Sequence, residues 1–82
     1  MYQIISTRKS AVMYLNWEYG TKRANELLRN ITKHGSTMVI LPFHNYRRKR
    51  DAQFQAQRAE SVVSYYQGKL NKDMEWTGIS VY

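Results

Sequence analysis

The chain has no cysteine among its 82 residues. Disulfides and thiolate metal sites are thereby excluded. His34 and His44 are the only imidazoles, ten residues apart and with no carboxylate cluster beside them. No zinc site, and no cofactor of any kind, is expected. No apolar run approaches the roughly 20 residues of a membrane-spanning helix. The opening Met1-Tyr2-Gln3-Ile4-Ile5-Ser6 lacks the basic stretch and long apolar segment of a signal peptide. The expectation is therefore a cytoplasmic protein with no membrane partner. The four glycines are scattered, so no loop is built to cradle a phosphate. No serine, histidine and acid share a recognisable hydrolase motif.

Acid is also scarce. Six Asp and Glu face thirteen Lys and Arg, a formal net charge of +7. An excess of that size favours anionic partners, whether nucleic acid, an acidic protein surface or an anionic membrane. The length suits one domain, residues 1–82, with one core. A core so small buries a lesser share of the chain than a larger protein would.

Regular elements can be read from apolar spacing. Tyr2 to Ser6 reads as a strand and Thr7 to Ser10 as a polar turn. In Ala11 to Tyr19, Met13, Leu15, Trp17 and Tyr19 alternate with Tyr14, Asn16 and Glu18, which suits a strand, although the same residues fit a helix. Gly20 breaks that pattern, and Thr21 can cap a helix. Ala24, Leu27, Leu28 and Ile31 then form one apolar helix face. Lys33 and His34 fit the last turn, with Gly35 in the left-handed position beyond it. The expected helix spans about 21 to 34. Ser36 to Phe43 reads as a central strand whose pairing Pro42 should end. A second helix is expected from about Arg48 to Lys69, with Ala52, Ala56, Ala59, Val63, Tyr66 and Leu70 as its core seam. Met74 to Tyr82 reads as a final strand with Gly78 at a bulge. Trp17 and Trp76 are expected in the core. The expected fold is α+β, a small antiparallel or mixed sheet with two helices packed on it, in the order ββαβαβ.

His44-Asn45-Tyr46-Arg47-Arg48-Lys49-Arg50 is the most informative run. Four consecutive cations enter the start of a helix, the end that already carries partial positive charge. Asp51 is the only local compensation, and an anionic ligand would relieve the repulsion. At about 100° per residue, Arg50, Phe54, Arg58, Ser61, Tyr65, Lys69 and Lys72 fall within roughly 60° of Arg47, away from the apolar seam. Lys and Arg neutralise phosphates, and aromatic rings stack on unpaired bases. The expected RNA-binding residues are Tyr46, Arg47, Arg48, Lys49, Arg50, Phe54, Arg58, Tyr65 and Lys69. Lys22 and Arg23 complete the expected RNA-binding set, in a second cluster with Arg29 and with Arg8 and Lys9 in the presumed turn. Lys22, Arg29 and Lys33 share one side of the first expected helix. Seven cations against two acids lie in residues 47–72, and six against two in residues 1–46. The bland alternative is a solvated basic face with Phe54 tucked under a loop or against a second subunit. Catalysis has one opening: His44 as base beside Tyr46 and the arginines, as in a small ribonuclease.

In size, charge and aromatic content the chain resembles the small basic early proteins of T4-like bacteriophages, some of which disarm host toxin–antitoxin systems by engaging RNA. The resemblance implies an RNA-binding or host-takeover role in the bacterial cytoplasm and carries over no functional residue. The expectation is a non-enzymatic RNA-binding protein, a phage factor countering host defence. The competing class is an inhibitor that docks an acidic host protein. The apolar strand from Met38 to Leu41 and the alanine seam also suggest a homodimer, because both exceed what so small a core easily covers.

Overall fold

The computed structural model describes residues 1–70 and 77–82, the side chains of Phe43 and of residues 67–70 apart. The elements are β1 (Tyr2–Thr7), α1 (Arg8–Arg29), β2 (Thr32–His34), β3 (Met38–Tyr46), α2 (Lys49–Leu70) and β4 (Ser80–Val81). The fold is α+β, as expected. The element order is βαββαβ, in place of ββαβαβ. All pairings are antiparallel and the strands lie in the order β2-β3-β1-β4. Two interleaved βαβ units therefore share one sheet, the split βαβ arrangement. Among the described residues, no helix is long and apolar enough to cross a membrane.

Residues 11–19 are helix, so the strand reading of this segment is corrected. Thr7 caps the helix: its hydroxyl oxygen accepts from the Ser10 N–H at 3.2 Å and lies 3.1 Å from the Thr77 carbonyl. Ser10 donates to the same carbonyl at 2.8 Å. Arg8 and Lys9 are thus helical rather than in a turn. Ser10, Ala11, Tyr14 and Leu15 are buried, the spacing of a helix face. The apparent period of two arose from Trp17 and Tyr19, which are 50% and 40% exposed and take no part in a strand face. Gly20 does break the pattern: at φ 80, ψ 163 it kinks α1 into two helical pieces, in a region only glycine enters easily.

The second piece ends at Asn30, whose N–H bonds the Leu27 carbonyl, and not at His34. Ile31 still packs against the core, but Thr32–His34 form an edge strand opposite Met38–Ile40. Lys33 therefore lies on β2 and shares no helix side with Lys22 and Arg29. Gly35 has the expected positive φ of 71°, used in the β2–β3 turn instead of a helix cap. Lys33, His34 and Gly35 suited a helix end by charge and by a positive φ, and both features serve an edge strand leading into a turn equally well.

Pro42 interrupts pairing without ending the strand. Register runs Ile5↔Ile40, then resumes at Gln3↔Asn45, so β3 spends Leu41–His44 opposite Ile4 alone. A proline cannot donate to the ladder, and a bulge absorbs it. His44 Nδ1 lies 2.7 Å from the Pro42 carbonyl and closes the excursion.

The core lies between the sheet and the helices. Ile4, Val39 and Leu41 meet Ala11, Tyr14, Leu15, Ala24 and Leu27 of α1 and Ala56, Ala59, Val62 and Val63 of α2. The alanine seam is covered within one chain: Ala52 and Ala59 are 0% exposed. Val39 and Leu41 are buried too, with Met38 and Ile40 half-buried. These two features therefore place no demand on a second copy. On the opposite face of the sheet, His34 and Tyr82 pack edge to face with centroids 4.5 Å apart. Of the expected final strand, Ser80–Val81 are strand, and Tyr82 exchanges backbone bonds with Gln3; residues 74–76, with Trp76, lie outside the described residues. Gly78 precedes β4 at φ 68.

Candidate nucleic-acid interface

The segment from β3 into α2 places the cations. Arg47 and Arg48 stand in the bend between Tyr46 and Lys49, so the angular stripe begins properly at Arg50. The Arg48 carbonyl accepts from the N–H groups of Asp51 and Ala52 at 3.2 and 3.3 Å, which puts a cation where helices favour Ser, Asp or Asn. Arg47, Arg48, Lys49 and Arg50 are all exposed. Arg50 reaches Asp51 only at 3.9 Å, with 79% of its side chain exposed. A pair so open to solvent adds little stability.

Along α2, Phe54 is 72% exposed and Tyr65 51%, so no loop of the described chain covers Phe54. Arg58 is exposed but committed. Its Nε donates to Glu18 of α1 at 2.7 Å, and that carboxylate, by hydrogen bond first and charge second, raises the guanidinium pKa further. Lys69 lies in α2 with its side chain outside the described residues, and Lys72 lies outside them entirely. Tyr46 is half-buried and packs against the core; burial first, then Tyr19, Asp51 and Glu18, pushes its phenol pKa up. It is more core edge than platform. Lys22 and Arg23 are exposed on α1, away from the α2 stripe in sequence, with Arg23 bonded to Glu26 at 3.1 Å.

Trp17 was expected in the core and is instead 50% exposed, beside the α2 stripe. It forms an edge-to-face triangle with Tyr65 and Tyr66, at 6.0 and 5.9 Å, the two tyrosines being 5.9 Å apart. Once 8–19 is read as helix, a step of 100° turns Trp17 roughly 110° away from the Ala11–Tyr14–Leu15 face. That angle was the available signal. Leaving about half an indole in water forgoes roughly 2–3 kcal/mol of burial.

His44 sits elsewhere, 4% exposed. A carbonyl only accepts, so Nδ1 carries the proton toward Pro42 and Nε2 is the acceptor. Tyr14 donates its hydroxyl to Nε2 across 3.1 Å, and Gln55 donates to the Tyr14 oxygen across 2.6 Å. Burial pushes the Tyr14 phenol up to about 12. Both ring nitrogens of His44 have partners inside the fold, so the ribonuclease reading lacks an accessible imidazole at this position. Among the described residues, no group of three or more His, Cys, Asp or Glu could hold a metal ion.

Compared with known proteins, the chain matches no family model, no curated relative and no solved structure. The split βαβ topology serves many unrelated functions, so function lies in the site and not in the fold.

Proposed function

We propose that the protein is a non-enzymatic RNA-binding protein that holds the phosphate chain with Arg47, Arg48, Lys49 and Arg50 and continues along the outer face of α2. One observation carries the reading: four consecutive exposed cations stand at the start of a helix, and Phe54 and Tyr65 are exposed further along it. Charge of that sign at that end opposes the helix dipole and gains a use only with an anion present. Interleaved aromatics suit bases better than phosphates alone. Binding is preferred to cleavage because His44 is sealed in the core with Tyr14.

A gel-shift series with RNA tests this. A shift at low salt that weakens steeply as salt rises is expected, since each neutralised phosphate releases counterions. Absence of any shift at low salt would end the reading. A docking surface for an acidic protein is the second reading, favoured by the exposed Trp17, Phe54 and Tyr65, because aromatic residues are enriched in protein interfaces. The purified protein separates the two. A high 260/280 nm absorbance ratio that falls after nuclease treatment supports RNA.

A further inference from the structure

We propose that the hollow beside Trp17 and Tyr65 receives an unpaired RNA base, so that the ligand is single-stranded; this rests on the reading that the basic face of α2 binds RNA. The hollow is about 270 Å³ and is lined by Trp17, Arg58, Ser61, Val62 and Tyr65. Two of its walls are aromatic rings set 63° apart. Trp17 keeps 50% of its surface in water and Tyr65 51%. Tyr66 meets both rings edge to face, so the three brace one another before any ligand arrives. A braced platform loses little freedom on binding, and stacking accepts any base because every base has a π face.

The remaining walls suit a base as well. Val62 is 8% exposed and gives an apolar floor. Arg58 is fixed by its Nε bond to Glu18, and four further N–H donors remain on a guanidinium so held. They can meet a base edge or a phosphate. Glu18 compensates charge here, while Arg47, Arg48, Lys49 and Arg50 face one acid, Asp51, at the other end. Arg50 to Tyr65 spans roughly 22 Å of helix axis, longer than a single nucleotide. A strand of several nucleotides therefore runs from the cations past Phe54 to the hollow. A duplex keeps its base faces stacked inside, and an acidic peptide offers charge without a base to stack.

The test reads Trp17 by its own fluorescence in a Trp76→Phe protein. The probes are a uridine strand of about 12 nucleotides, an abasic strand with the same phosphates, an RNA duplex of equal length, and polyglutamate. The uridine strand should quench Trp17 and the abasic strand should not. Its affinity should exceed that of the abasic strand by about 5- to 140-fold, the range for one stacked base. Trp17→Leu should sharply reduce the difference between the two strands. Tyr65→Ser supplies the same comparison should Trp17→Leu not give a native circular dichroism spectrum. Equal binding of both strands without quenching overturns the base inference and leaves the RNA-binding reading standing. Tightest binding by the duplex has the same consequence. Quenching with tighter binding by polyglutamate overturns the inference in favour of a protein partner. No binding of any nucleic acid at low salt overturns both readings.

Discussion

Tyr14 links three elements through one hydroxyl: it accepts from Gln55 of α2 and donates to His44 of β3. Removing that oxygen leaves the half-buried Gln55 donor and the buried His44 acceptor without this partner, at a cost of about 1–3 kcal/mol. Tyr14→Phe should accordingly lower the urea midpoint with little change in slope; an unchanged midpoint would show that the chain of bonds contributes nothing. The same residue sets an alkaline limit. Burial raises its pKa from 10.0 to about 12, so the fold favours the neutral phenol. Its contribution is complete below pH 10 and is lost as pH rises through about 12, on the order of 2–3 kcal/mol. Tyr14→Phe should flatten that part of the alkaline stability profile.

At the scale of elements, two glycines with positive φ make unlike junctions. Gly78 has φ +68, and a Cβ there would stand 2.7 Å from Thr7 Cγ2 and 3.2 Å from Met38 Cε. Thr7 cannot easily turn away, because its hydroxyl caps α1. Gly20 has φ +80 with nothing within 4 Å of a Cβ. Gly20→Ala should therefore cost only backbone strain, about 1–3 kcal/mol, and Gly78→Ala visibly more in the same thermal melt. Equal losses would mean that the approach of Gly78 to β1 is not tight. α2 was legible because its seam repeats over many turns and because Ala52, Ala56, Ala59 and Val63 all reach the core. α1 was not. Its first half alternates by coincidence, and the decisive cap, Thr7 to Ser10, read equally well as a turn. β2 is too short to show a period. Of the site, the exposed run Arg47–Arg50 and the exposure of Phe54 and Tyr65 were legible. The Glu18–Arg58 pair and the place of Trp17 were not, because both depend on how α1 lies beside α2.

At the scale of the molecule, charge is the dominant feature, with thirteen cations against six acids. The fold has one core between sheet and helices and leaves the cations of residues 47–50 in solvent, with Trp17, Phe54 and Tyr65 exposed on α1 and along α2. The substitution that isolates this feature replaces Arg47, Arg48 and Arg50 with Gln. It removes repulsion at a helix start, so the melting temperature should hold or rise. The direct measurement is the affinity for a uridine strand as a function of salt, for the natural protein and for this triple variant. If these arginines each neutralise a phosphate, the logarithmic salt slope becomes shallower by about two units, at roughly 0.7 per contact on a single strand, and affinity at low salt falls. Parallel lines of equal affinity would contradict the account, because the phosphates would then be held somewhere other than at the start of α2.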